Sequence, residues 1–290
     1  MEAQLRIENM PAISAIYYAL LQTGYDFYGF ERPEALVRRL SAFQSEQRPY
    51  PFFRSVRQAT CQVYPYWPRA AILETASFYA DPMGSQFQDL PKFKEAVMSA
   101  GNLREEERDD ALWAWIPGFP AALRQVLLDN SFQDYLQWEC GWIKEQNRIY
   151  AEELRVLQKR LKICSQRYNS PITDVQILLN PIKCVYSSDY HILNSRLVFS
   201  SGAFDGGSVI HEFLHPAVHS LLLSRREDIL QCDVSDLGID PSYYLANDDA
   251  GRLNAFEEYF VRKLTAKIAS DTPPENLSVF LDQILAERSK

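Results

Sequence analysis

His211, Glu212 and His215 form an HExxH pattern, His211-Glu212-Phe213-Leu214-His215. Residues four apart share one face of a helix, so both imidazoles can reach a single metal ion, and Glu212 sits beside them about 100° round the axis. A hydrolytic zinc centre uses three protein ligands and keeps one position open, with a neighbouring carboxylate acting on a zinc-bound water. A purely structural zinc fits less well, because such sites close with four protein ligands and often several cysteines. The bland alternative is a pair of histidines packed or hydrogen-bonded within a helix.

The third ligand must come from elsewhere. The metzincin continuation requires Gly at 218 and His or Asp at 221, where this chain has Val218 and Leu221. The other source is a glutamate on a following helix, and GRLNAFEEYFVRKLTAKI offers Glu257 and Glu258 at a gluzincin-like distance. On a helical wheel Glu257 falls within the stripe of Leu253, Phe256, Phe260, Val261 and Leu264, and Glu258 lies on its flank. A carboxylate in an apolar face is destabilising unless it meets a metal or a partner, so at least one of the two has a functional reason to be there. His219 shares the face of His211 and His215 and is a candidate fourth ligand or a donor behind the first shell, the commoner role being a bond to a nearby carbonyl. Pro216 removes the N–H that would bond the carbonyl of Glu212, so a kink is expected beside the catalytic residue.

HEFLHPAVH followed by EYFVR resembles an uncharacterised bacterial family of gluzincin-like zinc metallopeptidases, a domain of unknown function with the pattern HEFxHxxVN and then ExxVR. The resemblance covers roughly the last 120 residues. It implies a zincin core, zinc, a peptide or protein substrate, and Glu258 as third ligand with Glu257 as the alternative. The chain departs from that pattern at His219, where the family has Asn, and at Pro216. Transition-state stabilisation needs a further donor, for which Tyr243, Tyr244, Arg262 and His191 are candidates. The strand around Ser195 to Ser200 is expected, by analogy with gluzincins, to form the sheet edge along which a peptide lies. Other readings are a zinc hydrolase of a small amide, and a non-catalytic metal-binding or interaction protein.

Positioning these groups requires a helix, a strand before it and a second helix after it. Asp205-Gly206-Gly207-Ser208 can cap the first helix, and Val209, Ile210, Phe213 and Leu214 give it an apolar side. Upstream, residues 171–201 contain VQILLNPIKCVY and SRLVFSSGAF, two strand-like runs. Before them the chain reads as helical, in PAISAIYYALLQT, PEALVRRLSAFQ, PKFKEAVMSAG and one long stretch from Phe132 to Tyr168; ENLSVFLDQILAERS closes it. The expected class is α+β, mainly helical with a small sheet, divided into a helical region 1–170 and a catalytic region 171–290 that form one continuous unit. The aromatic stretch from Tyr50 to Tyr79 is read as core, with a substrate cleft as the alternative.

Composition narrows the partners. A net charge of −8 argues against a phosphate-tracking surface, so nucleic acid is not expected. No run approaches the roughly 20 apolar residues of a membrane span. The five cysteines lie far apart without a CxxC pair and are expected as mostly reduced, buried thiols. The N-terminus lacks the basic and apolar regions of a signal peptide, which places the chain as it stands in the cytoplasm, or in a secreted or periplasmic setting if a leader has been removed.

Overall fold

The computed structural model describes residues 4–24, 32–45, 50–55, 71–81, 83–99, 116–185, 188–234, 237–238 and 248–288. Its elements are β1 (Ile7–Glu8), α1 (Pro11–Gln22), α2 (Glu34–Ser41), α3 (Ala71–Ser77), α4 (Leu90–Ser99), α5 (Phe119–Leu127), α6 (Asn130–Ile149), α7 (Ala151–Tyr168), β2 (Asp174–Leu179), β3 (Asp189–Leu193), β4 (Arg196–Ser201), α8 (Gly206–Ser224), α9 (Arg226–Leu230), α10 (Asp249–Ala269) and α11 (Leu277–Arg288). The chain is thus a mainly helical α+β protein with one small mixed sheet. Among the described residues no helix is long and apolar enough to cross a membrane.

The sheet has the order β1-β2-β4-β3, with β3 antiparallel to β4 and the other pairs parallel. Alternation along the strands divides it between two cores. Ile7, Val175, Ile177, Leu179, Leu197 and Phe199 face a cluster built from α7, α8, α10 and α11. Leu178 and Val198 face the opposite cluster, under α1, α3 and α5. The sheet is therefore the middle of three layers, and a residue's position along a strand decides which core it enters.

Two features of this layer differ from the sequence reading. The strand before the motif helix is not an edge: β4 pairs with β2 on one side and β3 on the other. The edges are β1 and β3, neither of which stands out in the sequence, being two and five residues long. The β1 edge is closed, since Asn147 of α6 accepts from the Ile7 N–H at 2.9 Å and donates to the Ile7 carbonyl at 2.7 Å. On the outer side of β3 no strand is paired among the described residues, and an unpaired edge of this kind is a template for an added strand.

The long helical stretch is two helices. It breaks at Tyr150, whose N–H bonds the Gln146 carbonyl at 2.9 Å while its ring packs on Phe204 with centroids 4.9 Å apart. The bend lets α7 lie against α8. Of the aromatic stretch, Tyr50 and Phe53 are buried in the N-terminal core, as its reading as core requires, while residues 56–70 lie outside the described residues. Cys164, Cys184 and Cys232 are buried free thiols, Cys140 is exposed rather than buried, and Cys61 lies outside the described residues.

Glu139 of α6 is fully buried where α1, α6 and the end of β2 meet. Its carboxylate accepts from Ser14 Oγ (2.5 Å), Asn180 Nδ2 (2.8 Å), Asn9 Nδ2 (3.0 Å) and Tyr135 OH (3.0 Å). Burial outweighs these bonds and pushes its pKa up from 4.5 to about 7. A raised folded-state pKa stabilises the fold fully below the unfolded value and loses that contribution as pH rises through the folded value. The expected result is that wild type loses about 3 kcal/mol relative to Glu139→Gln between pH 4.5 and 7.5, read from paired denaturant titrations.

Candidate metal centre

The motif helix α8 starts where the sequence signals it. Asp205 is its N-cap and accepts from the N–H groups of Gly207 (3.0 Å) and Ser208 (3.1 Å). The helix continues through Pro216 to Ser224 without a break. Val209, Ile210, Phe213, Leu214 and Val218 anchor it to the sheet, which leaves His211, Glu212 and His215 on its half-buried flank. The second helix, α10, is capped by Asp248, whose side chain accepts from the Gly251 N–H at 2.6 Å.

Where α10 crosses α8, three donor atoms converge. His211 Nε2 lies 3.1 Å from His215 Nε2 and 3.2 Å from Glu258 Oε2, and His215 Nε2 lies 3.7 Å from the same oxygen. These are the distances of a ligand set, since the edges of a tetrahedron around zinc with nitrogen and oxygen at about 2.0–2.1 Å measure about 3.3–3.4 Å. The donors are borderline to hard, as zinc prefers. Among the described residues this is the one group of three such side chains so close together.

The second glutamate takes a different place. Glu257 Oε1 bonds His215 Nδ1 at 2.9 Å and its Oε2 bonds His219 Nδ1 at 2.8 Å. A proton on His215 Nδ1 directed at Glu257 leaves the Nε2 lone pair for the shared centre, the arrangement that orients metal-bound histidines. Glu258 is only 8 % exposed, so the wheel preference for Glu257 as the buried residue is overturned. The reason is that α10 packs both on α8 and on α11, through the Phe260–Phe280 ring contact, which widens its buried arc. His219 stands apart from the three converging atoms: its side chain is half exposed and its Nδ1 bonds Glu257.

Arg262 is not free to serve as a transition-state donor through Nε, which donates to Glu258 Oε1 at 2.6 Å. That contact occupies one carboxylate oxygen and leaves Oε2 for the histidines. His191 is excluded from the site. It lies on the opposite face of the sheet, buried, with Nε2 2.9 Å from Glu74 Oε2 and Nδ1 3.2 Å from Thr75 Oγ1. Strand alternation sends residue 191 one way and Tyr190 the other. Tyr243 and Tyr244 lie outside the described residues.

The electrostatics favour positive charge at the convergence point. Burial opposes a charged His215, but the Glu257 hydrogen bond and the fields of Glu212, Glu257 and Glu258 outweigh it and push its pKa up. Burial likewise opposes ionisation of Glu258, yet His211 and Arg262 hold its carboxyl down at about 2. Glu212 behaves differently: burial, helped by Glu258 and Asp189, pushes its pKa up against the pull of His215 and His211. Its carboxylate makes no hydrogen bond or ion pair among the described residues, which leaves it available to exchange a proton.

The sequence reading singles out neither of two features near the centre. Tyr190 of β3 stacks on His215, with ring centroids 6.3 Å apart and planes 3° from parallel. Behind β3 lies a fully buried lysine, Lys183, whose Nζ contacts Glu74 Oε1 (2.5 Å), Asp189 Oδ2 (2.6 Å) and Ser200 Oγ (3.1 Å). Lone polar residues in apolar runs, such as Lys183 in NPIKCVY and Glu74 in AILETAS, are the only hint the sequence carries. The chain matches no protein-family model, no curated protein and no solved structure with which it was compared.

Proposed function

We propose that the chain is a zinc-dependent hydrolase of peptide bonds, of gluzincin type, with His211, His215 and Glu258 as ligands and Glu212 as general base. The observation that carries this reading is the convergence of His211 Nε2, His215 Nε2 and Glu258 Oε2 beside a carboxylate, Glu212, that has no other partner among the described residues. Zinc bound there supplies Lewis acidity, which acidifies water and polarises a carbonyl.

The remaining work falls to the chain. Glu212 takes a proton from the attacking water as its oxygen bonds the carbonyl carbon, then gives that proton to the departing amine nitrogen as the C–N bond breaks. Glu257 fixes the His215 ring from its Nδ1 side, and Arg262 fixes Glu258 from its Oε1 side. The edge of β3 beside the site favours an extended peptide over a small amide, because a strand can pair along it.

The test is metal content by elemental mass spectrometry. Expected are near-stoichiometric zinc in wild type and Glu212→Gln, loss of zinc in His215→Ala and Glu258→Ala, and a 10- to 100-fold weaker affinity in Glu257→Ala, as for a residue behind the first shell. Wild type should also cleave a casein digest, lose that activity to 1,10-phenanthroline and regain it with added zinc. Wild type that holds no metal and gains none when zinc is supplied overturns the reading.

A further inference from the structure

The donors around the centre are nearly all committed. His211 and His215 turn Nε2 inward, His215 and His219 bond Glu257 through Nδ1, and Arg262 bonds Glu258 through Nε. Every other titratable group facing the centre from α8 and α10 is a carboxylate, Glu212, Glu257 or Glu258, which can only accept when ionised. Negative charge that develops on a carbonyl oxygen during attack would lie beside the carboxylates of Glu257 and Glu258, toward which His219 Nδ1 and Arg262 Nε are already turned. One donor comes from the third element of the site, the edge strand β3.

Tyr190 projects from β3 onto the metal-centre face, its ring parallel to that of His215. It is half-buried, and its hydroxyl makes no hydrogen bond among the described residues. We infer that Tyr190 donates its hydroxyl proton in a hydrogen bond to the substrate carbonyl oxygen as negative charge develops there, and that its ring braces His215. The inference rests on the peptidase reading. Tyr190 is the neutral donor on the very strand along which an extended peptide would pair, so substrate backbone and hydroxyl are brought together by one element. A phenol carries its proton at neutral pH and is therefore a hydrogen-bond donor there. The proton is not transferred; it is shared and returns with the carbonyl oxygen's loss of charge.

The strand is held for this task from behind. Asp189, the preceding residue, points into the other core and bonds Lys183, and His191, the following residue, bonds Glu74. Tyr190 is therefore clamped on both sides by buried polar contacts that cannot slide without breaking.

Two substitutions separate the hydroxyl from the ring. Tyr190→Phe keeps the brace and removes the donor; Tyr190→Leu removes both. With a casein digest as substrate, Tyr190→Phe is expected to retain wild-type zinc affinity in a chelator competition and to lose about 100-fold in kcat with KM little changed. Tyr190→Leu is expected to weaken zinc binding as well. A second readout is a peptide phosphonamidate, a tetrahedral anionic probe, whose affinity for the zinc-loaded protein should fall in Tyr190→Phe while that of the uncleaved product peptides does not. Equal kcat and equal phosphonamidate affinity in wild type and Tyr190→Phe overturn the inference and leave the peptidase reading standing. A zinc-loaded wild type that neither cleaves the digest nor binds the probe overturns both.

Discussion

Glu212→Gln is expected to keep its zinc and its fold while kcat on a casein digest drops by about 100- to 10,000-fold, the range of a lost general base. Gln has nearly the volume of Glu, and the Glu212 carboxylate has no partner among the described residues to lose, so the substitution disturbs nothing that holds α8 in place. What it removes is the proton acceptor. An amide cannot take a proton from water at neutral pH, so attack must proceed with solvent as base. The assay must therefore pair turnover with metal content: loss of turnover with zinc retained assigns Glu212 to the chemistry. A Glu212→Gln protein that cleaves at the wild-type rate removes Glu212 from the mechanism.

Lys183→Met is expected to destabilise the fold by about 3–5 kcal/mol, the penalty for breaking a buried ion pair from one side. Lys183 is fully buried between Glu74 and Asp189, and Glu74 also accepts from Tyr17 OH at 2.6 Å and contacts His191. The turn that carries Lys183 is itself fixed: Arg32 donates to the carbonyls of Pro181, Ile182 and Lys183, and a Cβ at Gly202 would meet the Lys183 carbonyl oxygen at 2.0 Å. Methionine fills the space of the lysine stem and leaves two carboxylates without their cation, so they must protonate or open the core. Burial pushes the Glu74 pKa up, but the charge of Lys183 and the hydrogen bond and charge of His191 outweigh it and hold the carboxyl at about 2. Since folded-state pKa values of this kind are depressed, the Glu74 contribution is present above its unfolded value and is lost as pH falls through about 2.

Against a typical total stability of about 5–15 kcal/mol, such a loss is large. Urea unfolding of Lys183→Met, and of Lys183→Met combined with Glu74→Gln and Asp189→Asn, separates the charge effect from packing. The triple variant is expected to recover part of the loss, because neutral amides no longer need a buried cation. If the single variant unfolds at the wild-type midpoint, the cluster carries no net stability.

Much of the candidate metal centre was legible because its first half is local. The pair His211 and His215 is set by helical geometry alone, and the Asp205 cap and the apolar side of α8 follow from short-range rules. The helices α1, α2, α4, α10 and α11, and the strands β2 and β4, likewise lie where period and bounding residues put them. The choice between Glu257 and Glu258 was not local. Adjacent helical residues point about 100° apart, and both face α8 once α10 is docked. Only the crossing of the two helices sends Glu258 Oε2 to the Nε2 atoms and Glu257 Oε1 to the back of His215.

The hidden parts share one property, that their partners are distant in sequence. Strand β3 is five residues, Asp-Tyr-His-Ile-Leu, whose polar members are satisfied from another core: Asp189 by Lys183, and His191 by Glu74, 117 residues away. Read alone it carries no apolar run to mark it as a strand, and the edge expected at Ser195 to Ser200 rests only on analogy with gluzincins. The sequence by itself determined the helical class, the HExxH helix and the carboxylate beside it, because these depend on contacts within a few residues. The tertiary structure alone decided which glutamate joins the two imidazoles, which strand is the edge and which buried charges brace it, because a carboxylate or a lysine acquires its role only from the oppositely charged group that folding brings within hydrogen-bond reach.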